Sequence, residues 1–275
     1  MGNSNFKRLQ QIAFIFGAAL LALGCTIFQK SWNEVSKNGG PTFRTNGPQA
    51  KQTRSLQDFD KIDAGSIYQV DVSFGSTPSI IIEAPRDLLP HLTSTVRGGT
   101  LSLSADVNFS TQNNATIKAH VVTKRLVGAT VSGAGKMVIN GKIRDNRFDA
   151  NAYGASTLKL SADVTTFKLE ASGAAKTITS LTAKTLEIQA SGAANCSVDG
   201  TVDSSSIDAS GAAHVDGRLT SNSAYVQTSG AAHAALRVVN ALKGEASGAS
   251  SITYGGRPGK VTTQTSGVSS IHRES

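Results

Sequence analysis

Aromatic residues and cysteines are scarce in this chain. Aromatic residues make up 5% of the 275 residues, with one tryptophan, whereas glycine occurs 27 times. So few large side chains favour a thin core of small aliphatic residues over a thick globular core. The two cysteines are Cys25 and Cys196. If Cys25 carries a lipid, no disulfide is possible, and Cys196 is expected to be a small buried apolar side chain without a thiol function.

Sustained helical periodicity is also missing after residue 92. Apolar and polar residues instead alternate, which is typical of strands with one buried face. Two such runs contain Phe167, Leu169 and Ala171, and then Leu186, Ile188 and Ala190. The sequence therefore predicts an all-β fold, with one short helix at residues 85–92.

A Ser-Gly-Ala phrase recurs through the second half of the chain. Its glycines are spaced 21, 19, 19, 19, 19, 18 and 19 residues apart, at Gly133, Gly154, Gly173, Gly192, Gly211, Gly230, Gly248 and Gly267. A fixed period near 19 predicts a parallel β-solenoid with one coil per repeat and two short strands in each coil. The crossover rule favours a right-handed coil. Each glycine is expected at a corner that needs positive φ, beside serines that form a hydroxyl ladder.

Aligning the repeats on their glycines predicts two buried columns and two exposed columns. The fourth position after each glycine is expected in the core, at Met137, Leu158, Thr177, Cys196, Val215, Ala234 and Ile252. The sixth position after each glycine is expected in the core, at Ile139, Leu160, Thr179, Val198, Gly217, Leu236 and Tyr254. One outward column is predicted to hold Arg147, Lys168, Glu187, Ser206 and Tyr225. The next is predicted to hold Asp149, Glu170, Gln189, Asp208 and Gln227. Local Arg147–Asp149 and Lys168–Glu170 pairs are expected, and a solvated charge ladder is favoured over a Ca²⁺ site made by Asp149 and Glu170.

The chain opens with the features of a secretory signal. Lys7 and Arg8 precede an apolar run from residue 12 to residue 23, and Gly24-Cys25 follows. This pattern predicts a signal peptide and lipobox over residues 1–25, with lipidation at Cys25, in a bacterial envelope protein at the outer membrane or facing the periplasm. An uncleaved membrane anchor and plain cleavage are the alternatives. Residues 26–55 are polar and predict a flexible linker, whose basic residues suit anionic lipid or envelope polymer.

The folded part is expected over residues 56–275, with an irregular β cap at 56–130 and repeats at 131–270. Three segments, Phe59-Asp60-Lys61-Ile62, residues 80–101 and Val131-Ser132-Gly133-Ala134-Gly135, resemble the head GIN domain family. The resemblance covers about residues 56–270. It implies a β-solenoid in a secreted or lipid-anchored bacterial protein described as an auto-transporter adhesin. It implies no activity, catalytic residue or cofactor.

The polar residues favour binding over catalysis. His214 and His233 both stand three positions after a glycine, but their column neighbours Asn195 and Ser251 are poor zinc ligands, so a polar ladder is predicted and no metal site. The sequence predicts no enzyme, no cofactor and no nucleic-acid partner. A glycan or envelope polymer is the predicted partner of an adhesion protein. The alternatives are a polysaccharide-acting enzyme and a purely structural envelope element, and weak self-association through a terminal edge is also predicted.

Overall fold

The structure is a computed structural model that describes residues 43–45, 47–111 and 116–274. The predicted signal segment 1–25, including Cys25, and linker residues 26–42 lie outside the described residues.

The described residues form twenty strands and one short 3₁₀ helix. In chain order these are β1 (Phe43–Thr45), β2 (Gln49–Ser55), β3 (Lys61–Ala64), β4 (Tyr68–Phe74), β5 (Ser79–Pro85), η1 (Leu89–His91), β6 (Leu92–Arg97), β7 (Thr100–Ala105), β8 (Phe109–Thr111), β9 (Ile117–Thr123), β10 (Gly128–Val131), β11 (Lys136–Gly154), β12 (Thr157–Gly173), β13 (Lys176–Ala190), β14 (Asn195–Ala209), β15 (His214–Asp216), β16 (Leu219–Thr228), β17 (His233–Ala246), β18 (Ser251–Gly255), β19 (Lys260–Thr265) and β20 (Ser270–Arg273). Strands β1 and β8 pair in a two-stranded sheet, and the other eighteen form one continuous sheet.

The chain divides into two compact units. Of the described residues, Phe43, Arg44 and Val107–Ser110 belong to the smaller unit. The larger unit comprises Thr45–Asp106 and Thr111–Ser275 and contains the repeats.

Successive coils of the larger unit stack in parallel with a register of 19 residues. Thr157 pairs with Lys176 across β12 and β13, and Lys176 pairs with Asn195 across β13 and β14. The stack continues through β16 and β17 to β18, β19 and β20. These registers confirm the predicted β-solenoid of about eight turns.

The core of the solenoid is the predicted thin column of aliphatic side chains. All seven residues of the predicted fourth-position column are at most 1% exposed. The sixth-position column is buried except at Gly217, which is exposed, and Tyr254, which is half-buried. Each coil buries two alternating runs, and the alternation changes phase between them. In β13, for example, Lys184 and Thr185 are both exposed between buried Ala183 and Leu186. This phase change marks a corner between the two runs of one coil.

The repeated glycines form the other corner of each coil. Gly192 has φ +71°, and a Cβ added to it would lie 2.8 Å from the carbonyl oxygen of Gly173 on the preceding coil. The adjacent amide uses that carbonyl, because the N–H of Ala193 donates to the oxygen of Gly173 at 2.7 Å. The same geometry recurs at every repeat glycine from residue 133 to residue 267. Glycine is therefore needed both for its backbone conformation and for the close stacking of coils.

The hydrogen bonds between corners of successive coils form a ladder, which we call the corner ladder. It begins one rung earlier than the glycine period predicts. Ser66 has φ 64° and is the one non-glycine residue of the described chain with positive φ. Its carbonyl accepts a hydrogen bond from the N–H of Ala134 at 2.9 Å. Strands β3 and β4 stack in parallel on β10 and β11, so the predicted cap contributes a coil of its own. Among the described residues, Ser66 is the first corner of this ladder.

Strands β7 and β9 continue the parallel stack, because they pair in parallel with β3 and β4. The remaining pairs of the N-terminal part are antiparallel. Strands β6 and β7 form the predicted hairpin around Gly98 and Gly99, whose φ values are 55° and 75°. The helix predicted at residues 85–92 is shorter than expected, a single 3₁₀ turn at Leu89–His91 with a proline near its start. Strand β5 pairs with β9 and with β2.

Part of the range predicted as a flexible linker is folded. Residues 49–55 form β2, which pairs with β5 along its whole length, from Gln49 opposite Pro85 to Ser55 opposite Ser79. The segment looks like a linker in sequence because backbone hydrogen bonds, which need no apolar side chains, hold it in place. Arg54 adds to them by donating to the carbonyl of Leu92 at 2.7 Å and to that of Leu89 at 3.2 Å.

Candidate binding face

The second run of each coil presents three polar columns to solvent, on the face that we call the binding face. The charged column holds Asp149, Lys168, Glu187, Ser206, Tyr225 and Lys243. The acid–amide column holds Asn151, Glu170, Gln189, Asp208, Gln227, Glu245 and Gln264. The serine column beside it holds Tyr153, Ser172, Ser191, Ser210, Ser229, Ser247 and Ser266. Two outward positions on one strand share a face, so the columns lie side by side along the solenoid axis.

The predicted columns are correct from Lys168 and Glu170 onward but wrong for the first coil. Arg147 pairs with Thr166, and Asp149 pairs with Lys168, one outward position away from the predicted alignment. The cause is the 21-residue spacing of the first two glycines, since the two extra residues are absorbed where the register shifts between Val138 and Lys142. Counting forward from the glycine that precedes each coil hides this shift, so the sequence alignment missed Asn151. The alignment also ended at Gln227 and did not include Glu245 and Gln264.

The predicted local ion pairs are present on this face. The guanidinium of Arg147 lies 2.9 Å from the carboxylate of Asp149, and the Lys168 Nζ lies 2.8 Å from the carboxylate of Glu170. Asp149 and Glu170, the residues considered for Ca²⁺, stand in different columns and are each engaged by a cation.

The acid–amide column directs most of its hydrogen bonds to the columns beside it, and Asn151 at its first rung donates to Thr130 on the preceding rung at 3.2 Å. Tyr153 donates its hydroxyl to Glu170 at 2.9 Å, and Gln189 donates to Glu187 at 2.9 Å. The Tyr225 hydroxyl lies 3.2 Å from a Glu245 carboxylate oxygen. In the part of the chain that the structure describes, no hydrogen bond joins two of the seven column side chains. Their polar atoms are therefore not used up in a ladder that would merely stabilise the stack.

Two carboxylates of the column are held ionised. Hydrogen bonds from Lys168 and then Tyr153 lower the pKa of Glu170 below its usual range. A hydrogen bond from Lys243 lowers the pKa of Glu245 in the same way. Burial, followed by the hydrogen bond to Glu170, raises the pKa of Tyr153 to about 12. Both carboxylates thus act as fixed hydrogen-bond acceptors at neutral pH.

A cleft and two tyrosines shape the binding face. The cleft has a volume of about 230 Å³ and runs between the acid–amide and serine columns, lined by Tyr153, Glu170, Ser172, Gln189, Ser191 and Asp208 among others. Tyr225 stands in the charged column, with the Lys243 Nζ 4.8 Å from its ring centre. Tyr153 and Tyr225 are four rungs apart, a distance of roughly 19 Å at the usual strand spacing. The face thus combines a long row of planar polar groups with an aromatic ring near each end.

A second groove of about 510 Å³ follows the corner between the two runs, and we call it the corner groove. One wall holds Thr182, Thr201 and Thr220 in register on successive coils. The opposite wall includes Asp203, which accepts a hydrogen bond from Asn222 at 3.3 Å. The threonine hydroxyls of the corner groove could also hydrogen-bond a ligand that carries hydroxyl groups. Variants in this groove therefore serve as controls for variants in the binding face.

The histidine pair and Cys196 do not line either groove. The rings of His214 and His233 have centres 6.1 Å apart, and His233 Nδ1 lies 2.8 Å from the Ser251 hydroxyl. Over the described ranges, no group of three or more His, Cys, Asp or Glu side chains is arranged to hold a metal ion. Cys196 is 1% exposed, as predicted, and burial raises the pKa of its thiol, which makes the reactive thiolate rare.

Residues 58–258 match the family described as "putative auto-transporter adhesin, head GIN domain". The chain belongs to this family. The match confirms the resemblance seen in the sequence and places both the N-terminal coil and most of the repeats inside the family domain. No curated protein matches the chain significantly.

Solved structures share the fold at low sequence identity. A putative adhesin from Parabacteroides merdae is 18% identical, with a TM-score of 0.80 over 86% of this chain and 100% of that chain. A putative lipid binding protein from Parabacteroides distasonis is 18% identical, with a TM-score of 0.77 over 86% and 100%. A putative adhesin from Bacteroides fragilis is 17% identical, with a TM-score of 0.66 over 84% and 100%. At these identities the likeness establishes the shared solenoid fold and does not identify a ligand.

The proposed lipidation site Cys25 lies outside the described residues. Within the ranges that the structure describes, no helix has the length and apolar character to cross a membrane.

Proposed function

We propose that this head GIN protein is a non-catalytic adhesin of the bacterial cell envelope that binds glycans along its binding face. The observation that carries the proposal is the acid–amide column, in which seven consecutive rungs bear a carboxylate or a carboxamide. The neighbouring charged column mixes acids, lysines, serine and tyrosine over the same coils. The same kind of planar polar group recurs on seven rungs, and most of its polar atoms face solvent or a neighbouring column. This regular surface supports a ligand that is itself a repeating chain.

The chemistry of the column suits sugars. Carboxylates accept hydrogen bonds from hydroxyl groups, and carboxamides both donate and accept. Tyrosine offers an apolar ring face together with a polar tip, which suits a sugar ring with one C–H face and a rim of hydroxyls. The described surface offers less to a lipid, because its exposed large apolar side chains lie on separate segments, at Phe74, Ile81, Ile178, Val239, Val261 and Val268.

The electrostatics favour binding over glycan cleavage. Glycoside hydrolysis needs one carboxylic acid with a raised pKa as proton donor and a second carboxylate as base or nucleophile. The pKa values of Glu170 and Glu245 are lowered, so neither side chain holds a proton at neutral pH. The enzyme and the purely structural element are thus the alternatives that the experiment must separate from an adhesin.

A glycan array probed with the full-length protein in detergent tests the proposal. We expect binding to a subset of glycans, with no change in the glycans themselves when they are recovered and weighed by mass spectrometry. Asp208→Ala should weaken binding, whereas Thr201→Ala in the corner groove should leave it unchanged. Loss on Thr201→Ala alone would move the site to the corner groove, and shortened glycans would identify an enzyme. An array without any binding would favour the structural element.

The envelope location rests on the family and on the N-terminal segment. We propose lipidation at Cys25, and mass spectrometry of the mature N-terminus should find a diacylglyceryl-modified cysteine as its first residue. An intact Met1 would contradict the lipoprotein and support the uncleaved anchor. Weak self-association stays a prediction.

A further inference from the structure

Acids and amides alternate strictly along the acid–amide column. Reading one rung at a time, the side chains are amide, acid, amide, acid, amide, acid and amide, at Asn151, Glu170, Gln189, Asp208, Gln227, Glu245 and Gln264. The order persists although the coils differ in length, since Gln227 and Glu245 are 18 residues apart and Glu245 and Gln264 are 19 apart. The face therefore has a chemical period of two coils.

Charge repulsion explains only half of this pattern. Carboxylates on adjacent rungs would lie roughly 4.8 Å apart and repel each other, so an uncharged residue between them is favourable. Any uncharged residue would serve that purpose. The outward column on the other side of the charged column uses small residues on its five inner rungs, between Arg147 and Lys260, at Thr166, Thr185, Ser204, Ser223 and Ala241. Charge separation therefore does not explain why the four uncharged rungs carry amides. The amides are not hydrogen-bonded to one another.

A period of two rungs corresponds to about 9.6 Å at the usual strand spacing. In an extended β-1,4-linked glycan, each sugar is turned by about half a turn relative to the one before it, so equivalent groups recur at every second sugar. Each sugar also advances the chain by nearly one strand spacing. Helical α-linked glycans and compact branched glycans lack this flat two-residue repeat.

We propose, building on the glycan-binding function above, that the ligand is an extended β-1,4-linked glycan that lies along the solenoid axis, with one disaccharide per two coils. Acid rungs accept hydrogen bonds from the hydroxyls of one sugar, and amide rungs bind the hydroxyl or acetamido groups of the next. Glu170 and Glu245 are held in place by Lys168 and Lys243, at 2.8 Å in each pair. Tyr153 and Tyr225 supply ring faces for sugars near the two ends of the row.

Calorimetric titration of the full-length protein with defined oligomers tests this inference. The probes are β-1,4-linked N-acetylglucosamine and glucose oligomers of one to six residues, with α-1,4-linked glucose oligomers of equal length as the control. We expect affinity for one β-linked series to rise about tenfold per added disaccharide, as for one added hydrogen bond to a charged group. The α-linked series should show no such rise.

The outcomes separate the inference from the proposed function. Equal affinity for a monomer and a hexamer, or a preference for the α-linked series, would overturn the axial β-linked chain and leave glycan binding intact. If no oligomer binds and the glycan array is also blank, the proposed function itself fails.

A double swap tests the order of the groups without changing their number. Gln189→Glu combined with Asp208→Asn keeps the charge and the size of the side chains but breaks the alternation at its centre. We expect it to lower hexamer affinity about tenfold. The matched control is Asp203→Asn combined with Asn222→Asp, the same swap on adjacent rungs of the corner groove. Unchanged affinity in the first variant would refute the two-coil period.

If the double swap impairs folding, a milder single substitution still tests the role of the acid rungs. Asp208→Asn removes one charge at constant shape, and Asp208 has no side-chain hydrogen bond in the described chain that the change could break. It should lower hexamer affinity while the melting temperature stays at the wild-type value. Wild-type affinity in this variant would overturn the role of the acid rungs.

Discussion

Replacing a corner glycine in the middle of the solenoid tests why the repeat exists. Gly192→Ala adds a Cβ at a residue with φ +71°, 2.8 Å from the Gly173 carbonyl oxygen and 3.1 Å from its nitrogen. Contact at that distance forces the two coils apart. The movement weakens two bonds of the corner ladder, from Ala193 to Gly173 and from Ala212 to Gly192, each 2.7 Å long.

The expected cost follows from these parts. The left-handed conformation costs an alanine about 1–2 kcal/mol. Two weakened backbone hydrogen bonds add about 0.5–1.5 kcal/mol each. Alanine also lowers the conformational entropy of the unfolded chain, which offsets about 0.4–1 kcal/mol of this loss. The variant should therefore lose about 2–4 kcal/mol of unfolding free energy, of which the larger share comes from the stacking and the smaller from the φ angle.

Urea denaturation followed by circular dichroism measures the loss, and amide hydrogen exchange at Ala193 and Ala212 shows where it occurs. Ser66→Gly is the matched control, because Ser66 already has φ 64° and is the first corner of the ladder. Relief of its strain and the added entropy of a glycine nearly cancel, so the change should be within about 1 kcal/mol. A Gly192→Ala variant as stable as the wild type would show that the corners do not need glycine.

Two further predictions concern the N-terminal part and the histidine pair. Arg54→Ala should loosen β2 without breaking its backbone pairing with β5 and cost about 2 kcal/mol, because the guanidinium bonds the carbonyls of Leu89 and Leu92 and the Ser94 hydroxyl. Faster hydrogen exchange confined to β2 and η1 is the readout, and uniform exchange would contradict it. Burial and then His214 lower the pKa of His233, His272 lowers it further, and Asp216 raises it. Because the unfolded chain then binds the proton more readily than the folded chain, the free energy of unfolding should fall as the pH drops below about 6.5. His233→Asn should flatten melting temperature against pH in that range, and an unchanged profile would refute this role.

Much of the architecture was determined by the sequence alone, because the repeat is a local pattern. Alternation identifies which side chains face inward, as with buried Phe167 and Leu169. A glycine at a fixed period identifies the corner, since few other residues adopt positive φ. These properties depend on neighbours along the chain, so they can be read without knowing which coils touch.

Only the tertiary structure decided what depends on contacts between coils. Ser66 is a corner although no period leads to it, because 67 residues separate it from Gly133. Strand β2 is held by pairing with β5, which its polar sequence does not reveal. The position of the extra residues in the first coil moved Asp149 beside Lys168 and brought Asn151 into the acid–amide column. The sequence alignment contained the alternation only from Glu170 to Gln227, and the register extends it to all seven rungs. Backbone pairing between coils, and not spacing along the chain, determines which side chains become neighbours.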